Sequence, residues 1–516
     1  MNSLQNNKIV YFILIIFCVF LSFSHSLLQV SMDSGLALSN IIKYPEPLSP
    51  MKYYYFNSWT IINQFSELLL MMGFSVEASS KFILFISSLF FSLSALLIVN
   101  RVTSKKYLGL FIAVLMLVFQ KNLGDTDYPS LIVSSHTYGM MSLAVTSFTF
   151  ALLINNYFKL SGFFSTLLIC IHPIIGIWIL SIVIISLIIF KEKKIRNDFL
   201  EGSIYGFAIT IISFIFFFNK NIGTINFEIR NLISYMKNWD GHRNTLGFIH
   251  FEYLLKTAFL FVVVNTYYFY KDNNKKSDFF KIFFNTSIIL STLIYFLFKL
   301  IPAVFPDIFV RLMPSRFIIL HSFVAWPLIL SAFYFFFKKI KKTEKIATTL
   351  ITIILILYSA QHYRNFVKLL DGYIINVVTK EKNSDAQFFK DLKNLNTSGY
   401  FITSSQTTNL AHVISNKPVL LDIKSFDFIP YHPYLIDNVF QILQDVYGID
   451  INSPPIKNNP KLPDSFIKKN FENKLKTEWV LLSNKYNATY VVVPSDWKIK
   501  LDLLKKNTSF AVYKIQ

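Results

Sequence analysis

The run SGFFSTLLICIHPIIGIWILSIVIISLIIF, from Ser161 to Phe190, decides how this chain is organised. It is too long for one membrane span, which takes about 20 apolar residues, and too short for two full ones. His172-Pro173 falls near its middle. Proline lacks the backbone donor a helix needs and drives the residue before it out of the helical region, so one helix ends there and another begins. Charge sets the direction of the second helix. The short clusters Arg101/Lys105/Lys106, Lys191/Lys193/Lys194/Arg196, Lys271/Lys275/Lys276 and Lys338/Lys339/Lys341/Lys342 are cytoplasmic signatures. All four lie on one side only if Ser161–Phe190 enters and returns, a hairpin of two short helices turning at His172-Pro173.

Working outward, apolar runs recur at 9–30, 82–99, 107–120, 138–154, 203–218, 253–270, 281–300, 317–337 and 346–360. The first follows only Lys8 and lacks a small-residue cleavage site, so it reads as a retained helix rather than a signal peptide. The expected fold is an α-helical polytopic membrane protein of about 11 spans, with the N-terminus inside and the C-terminus outside. Residues 31–80 form a first outer loop with an aromatic patch, Tyr53 to Trp59. Within it, Ile61–Met72 is apolar but short, as in a helix lying in the interface plane with Glu67 on its polar face.

Composition changes after Gln361. Residues 1–361 read as the membrane domain and 362–516 as a small soluble α/β domain outside the cytoplasm. Strand-like runs occur at Tyr400–Thr403, Pro418–Leu421 and Tyr490–Val493. Helical patterns lie near Asp385–Leu395, Leu435–Tyr447 and Phe466–Asn484. Pro454-Pro455 marks a crossing loop between them.

The 516 residues are 53% hydrophobic with 55 Phe, which fits a membrane chain. A net charge of +20 would suggest nucleic acid in a soluble protein. Here neither a basic recognition helix nor an RNA-binding aromatic motif accompanies it, and nucleic acid is not an expected partner. Cys18 and Cys170 both sit in apolar runs, which excludes a disulfide framework and a zinc site. There is no phosphate-binding glycine loop, no serine elbow and no metal-ligand pair at helical spacing, so no metal site is expected and no cofactor is indicated.

With this topology the unusual polar residues gather on the outer side. Asp33 follows the first helix, and Asp125 and Asp127 lie in the tight connection 121–130. Asp240, His242 and Arg243 fall in the next outer loop, and Arg311 and Arg316 in the loop 302–316. Only seven of the 50 Lys+Arg residues are arginine, and Arg230, Arg243, Arg311, Arg316 and Arg364 fall outside, against the positive-inside tendency. In a chain that defaults to lysine, arginine there suggests the planar fork that grips phosphate.

A first helix running outward, a long first outer loop with an acid and interfacial helices, many further spans and a soluble C-terminal domain together resemble the C-type glycosyltransferase (GT-C) superfamily. Tyr44-Pro45-Glu46-Pro47, Pro418-Val-Leu-Leu-Asp422 and Val446-Tyr447-Gly448-Ile449-Asp450 are also similar to uncharacterised bacterial multi-span membrane proteins. Family members often carry paired acids in the first loop, whereas Asp33 stands alone in Ser31-Met32-Asp33-Ser34-Gly35. The resemblance implies a multi-pass protein of the bacterial inner membrane, with membrane lipid and a polyprenyl-phosphate-linked sugar donor as partners. It implies Asp33 as the catalytic carboxylate, with Asp125, Asp127, Asp240, His242, Arg243, Arg311 and Arg316 binding substrate. A flippase of a lipid-linked glycan and a non-catalytic envelope-assembly protein are the competing classes.

The topology has a direct test. In a background lacking Cys18 and Cys170, single cysteines at Lys105, Lys193, Lys275 and Lys341 should resist an impermeant thiol reagent in intact cells, whereas Ser384→Cys should react. Labelling at Lys193→Cys would reverse the hairpin.

Overall fold

The computed structural model describes residues 2–25, 29–119, 132–133, 138–223, 229–240, 251–271, 278–301, 314–341, 344–361, 363–374, 384–395, 398–424, 426–459 and 461–516. The apolar runs form helices bounded by local signals. Helix α1 spans Asn2–Ser24, and α2 spans Gln29–Leu38. Pro50 starts α3 (Pro50–Asn57) behind the N-cap Ser49. Helix α4 (Ile61–Met71) starts behind the N-cap Thr60, and α5 (Val76–Thr103) behind Ser75. Helix α5 ends on Ser104 in the left-handed region, at φ 60°. Helices α6 (Lys106–Phe119), α7 (Tyr138–Ile154), α8 (Phe158–Ile171), α9 (Pro173–Phe190) and α10 (Lys193–Lys220) continue the body. They are followed by α11 (Ile229–Asn238), α12 (Phe251–Lys271), α13 (Phe279–Leu300), a 3-10 stretch (Pro314–Val324), α14 (Ala325–Lys341), α15 (Glu344–Gln361) and α16 (Tyr363–Tyr373).

Among the described residues, five helical segments are long and apolar enough to cross a membrane: Val76–Thr103, Pro173–Phe190, Lys193–Lys220, Phe279–Phe298 and Leu320–Ile340. A sixth follows if α15 and α16, bent by 62°, form one span. The exposed side chains of α10, Ile204, Phe207, Ile211, Ile215 and Phe218, repeat every three or four residues and so form one uncovered apolar stripe. A lipid solvent is what such a face needs.

The decisive break lies where the sequence places it. His172 is extended, at φ −152° and ψ 98°, between α8 and α9. The chain folds back so tightly that a methyl group on Gly176 would lie 2.4 Å from the Ile169 nitrogen, so only glycine fits. The carbonyl of Ile171, orphaned at the end of α8, accepts a hydrogen bond from the Thr60 hydroxyl at 2.8 Å. The tip of the hairpin is thereby tied to the start of α4.

Other readings change. The first apolar run is two helices, and Asp33 sits inside α2 rather than in a loop. Glu67 is not on a solvated polar face; it is buried and paired with Lys220 at the end of α10. A buried carboxylate needs such a partner.

The C-terminal α/β domain contains α17 (Ser384–Leu392), β1 (Tyr400–Thr403), α18 (Ile436–Ile442), α19 (Asp464–Asn473), α20 (Lys476–Tyr486), β2 (Ala488–Pro494), β3 (Asp502–Lys506) and β4 (Phe510–Lys514). Its sheet order is β1-β2-β4-β3, with β1 parallel to β2 and the other pairs antiparallel. The run Pro418–Leu421 makes only a bridge, Val419 to Phe401. The expected helix 466–484 breaks at Lys474, where the chain turns extended. Strands β3 and β4 were not foreseen. Strand β3 is a mostly exposed sheet edge, Asp-Leu-Leu-Lys-Lys, without the alternation that a half-buried strand shows.

Two large apolar cores result. One fills the helical body; the other fills the C-terminal domain and also takes in Ala37, Met51, Tyr54, Tyr55, Leu232, Tyr235, Met236 and Trp239 from the body. Trp239 donates from Nε1 to the Ile451 carbonyl at 2.6 Å, and the Tyr235 hydroxyl donates to the Phe426 carbonyl at 2.9 Å. Val419, Leu421, Val491 and Val493 are fully buried, as their apolar runs require.

Val491→Asp in the full chain should place an unpaired charge in this second core, a loss of several kcal/mol. Limited proteolysis is expected to degrade the C-terminal domain while leaving the helical body as a protected fragment. A wild-type digestion pattern would contradict the burial.

Candidate functional site

The site begins with α2. A methyl on Gly35 would lie 2.9 Å from Ser66 Cβ, so glycine there lets α2 press against α4. Asp33, two residues earlier, is thereby held in the interior with 4% of its surface exposed. A carboxylate so enclosed needs a donor. It comes from the C-terminal domain: His412 Nδ1 lies 2.8 Å from Asp33 Oδ1, across 379 residues of sequence.

His412 sits in a π-helical turn, Leu410–Ile414, the widened kind of turn that often re-aims a functional side chain. Its other nitrogen, Nε2, lies 2.7 Å from the Tyr44 hydroxyl, and its ring stacks on Tyr55 at 5.2 Å and 25°. Carboxylate oxygens accept, so this pairing assigns a hydrogen to Nδ1, which donates to Asp33, and leaves Nε2 to pair with the Tyr44 hydroxyl. Burial, and secondarily the charge of Asp33, push the ionisation of Tyr44 well upward, so it stays a phenol and a donor.

Further tyrosines surround this line. The Tyr400 hydroxyl donates to the Pro45 carbonyl at 2.7 Å and accepts from the Ser49 backbone at 3.1 Å, fixing the loop that carries Tyr44. Tyr54 packs between Phe428 and His432 of the C-terminal domain, at 5.2 and 5.4 Å. His432 Nε2 is 3.0 Å from the Ser58 hydroxyl, and Asn57 donates to the Tyr434 hydroxyl at 2.9 Å. At the hairpin tip, His172 lies against Tyr138 and Tyr431, with ring centroids 5.8 and 6.4 Å away.

A second carboxylate joins them. Asp422 is crowded by protein yet only partly covered, as a group lining a cleft would be. Its carboxyl accepts from the Lys424 backbone at 2.8 Å. Burial, with the nearby charge of Asp33, pushes it up to about 6, against the smaller opposing pull of the Lys424 backbone, the Lys424 charge and His412. Two carboxylates, an imidazole and several phenols therefore meet where the helical body joins the C-terminal domain. Such a set can take a proton from a hydroxyl and present aromatic faces to a ligand.

Of the residues singled out in the sequence, Asp33 is central here. Asp240 is fully buried beside Trp239, at the end of α11 against the C-terminal domain. Asp125, Asp127, His242, Arg243 and Arg311 lie outside the described residues. The backbone of Arg316 is in the 3-10 stretch Pro314–Val324, and its side chain is outside them too. Sequence reasoning missed His412, a lone histidine among apolar neighbours. Asp422 and Tyr44 appeared only as parts of local patterns, and the patch Tyr53–Trp59 read as an interface anchor. Among the described residues no cluster of His, Cys, Asp and Glu could hold a metal ion.

The helical body thus meets a small α/β domain around a carboxylate on the short helix α2. No family model and no curated protein matches the chain. Among solved structures it is similar to ArnT from Cupriavidus metallidurans in the apo state, at 11% identity and a TM-score of 0.39, covering 100% of this chain and 98% of that one. ArnT bound to undecaprenyl phosphate aligns at 11% identity and 0.42, over 99% and 98%. The Archaeoglobus fulgidus oligosaccharyltransferase in complex with zinc and sulfate aligns at 13% and 0.44, over 94% of this chain and 68% of that one.

Asp422 also links stability to pH. Its pKa is raised in the fold, to about 6 from about 4 in an unfolded chain, so folding favours its protonated form. The stability it contributes is full below about 4 and is lost as pH rises through 6. Asp422→Asn should therefore stabilise the C-terminal domain at pH 7.5, by roughly 2–3 kcal/mol at most, and make no difference at pH 4. Thermal unfolding at the two pH values reads this directly.

Proposed function

We propose that this protein is a membrane glycosyltransferase acting on the outer face of the bacterial inner membrane, with a polyprenyl-phosphate-linked sugar as donor. The observation that carries the reading is the enclosed Asp33 carboxylate, hydrogen-bonded to His412 where the helical body meets the C-terminal domain. Asp33 takes the proton of an acceptor hydroxyl. The hydroxyl oxygen then forms a bond to the anomeric carbon with inversion, while the bond from that carbon to the phosphate oxygen breaks. The lipid phosphate leaves with the electron pair. Arg311 and Arg316 stabilise its charge, and Asp125, Asp127, Asp240, His242 and Arg243 bind substrate around it. The bilayer itself supplies the binding energy of the polyprenyl tail. Tyrosines at the junction offer flat apolar faces with polar edges, which suit a sugar ring.

An undecaprenyl-phosphate-linked sugar is a suitable donor probe, with products compared at equal membrane abundance. Asp33→Asn keeps the shape and removes the base, so turnover should fall about 10²–10⁴-fold. Arg316→Lys keeps the charge but loses the fork, and is expected to raise KM for the donor more than it changes expression. Wild-type turnover in Asp33→Asn would end the catalytic assignment.

A further inference from the structure

We propose that the C-terminal domain is a component of the reacting centre, through His412 acting as the positioning residue for Asp33. This rests on the glycosyltransferase reading above and assigns a role within it.

The geometry leaves His412 very little freedom. One ring nitrogen is committed to Asp33 at 2.8 Å and the other to Tyr44 at 2.7 Å, while Tyr55 covers one face. Its backbone turn is held in turn: Ala411 N donates to the Thr407 carbonyl at 2.9 Å, Lys417 N to the Ala411 carbonyl at 3.1 Å, and the Ser415 hydroxyl to the Phe389 carbonyl at 2.7 Å. A carboxylate on a short helix otherwise rotates about its side-chain bonds. Pinning Oδ1 with a charge-assisted bond fixes the carboxyl plane and selects the other oxygen, Oδ2, to meet the acceptor hydroxyl. After the proton arrives on Oδ2, His412 keeps its Nδ1 hydrogen, so no further co-reactant is needed. The base is set on the membrane body, and its aim is set from the C-terminal domain.

A purely structural latch would make the same contacts, so the experiment must separate aim from adhesion. Steady-state kinetics on the full chain in membranes would compare His412→Ala, His412→Asn, Tyr44→Phe and Asp33→Asn, and the double variant of His412→Ala with Asp33→Asn, at matched abundance and matched proteolysis pattern. His412→Ala should lower kcat on the order of 10–100-fold with KM little changed, the scale seen when orienting partners of metal ligands are lost. His412→Asn places an amide N–H near the position of Nδ1 and should recover part of that loss. Tyr44→Phe frees Nε2 without emptying the packing and should give a smaller fall in kcat. In the Asp33→Asn background, His412→Ala should cost nothing more, since there is no base left to aim. Lys468→Ala, which breaks only an exposed pair with Asp496, should leave turnover unchanged.

Wild-type kcat in His412→Ala while Asp33→Asn is inactive would overturn the positioning role and leave the glycosyltransferase reading standing. An equal loss from His412→Ala in both backgrounds would assign a structural latch instead. If His412→Ala fails to accumulate, His412→Asn and Tyr44→Phe decide by the same kcat criterion. Wild-type turnover in Asp33→Asn would remove the reading itself and the positioning role with it.

Discussion

The hydrogen bond from His412 to Asp33 is the constraint on which the junction of this protein turns. Asp33 is nearly sealed inside protein, and a carboxylate there without a donor would carry the desolvation cost of a buried charge. Helix α2 places the acid against α4 but supplies no cation. The donor arrives only when the C-terminal domain docks. The site is therefore complete only with the domain in place, because the body leaves a cost that the domain offsets.

The remaining contacts across the junction follow the same economy of polar groups. The break at His172 frees a carbonyl, and Thr60 satisfies it. Asn57 accepts from Ile222 N at 3.1 Å and donates to Tyr434, linking α3, the end of α10 and the C-terminal domain. On α4, Gln64 and the Ser213 hydroxyl meet at 2.7 Å, and Glu67 reaches Lys220. The short helices α2, α3 and α4 are thus a layer whose polar atoms are shared between the spans and the C-terminal domain. They position a carboxylate more firmly than a solvated loop would.

Asp422 differs in kind from Asp33. Asp33 has an imidazole N–H in reach, whereas among the described residues the Asp422 oxygen with a direct bond meets a backbone N–H. The domain keeps a half-covered acid whose ionised form the fold disfavours, next to another acid. Natural cores seldom retain such a group for stability, and enclosed carboxylates placed side by side are the usual means of pushing acid and base strengths apart.

How much of this was legible in the sequence follows from the range of the forces involved. Apolar runs report burial or lipid contact residue by residue, so the polytopic body, the break at His172-Pro173 and strands β1 and β2 could be read directly. Asp33 stood out because an acid near the end of an apolar helix is locally unusual. Its place inside α2 was not legible, since the end of one helix and the start of the next fall in one continuous apolar run. Strand β3 was hidden because an exposed edge has no apolar alternation. Glu67 looked like a solvated acid because Lys220, its partner, belongs to another helix. His412 gave no signal at all: a lone histidine between alanine and valine has the local pattern of a core residue. By itself the sequence determined the membrane body, the C-terminal domain and the acid between them. The tertiary structure alone decided which group faces that acid, because a hydrogen bond between residues 379 positions apart leaves no period, motif or composition in the chain.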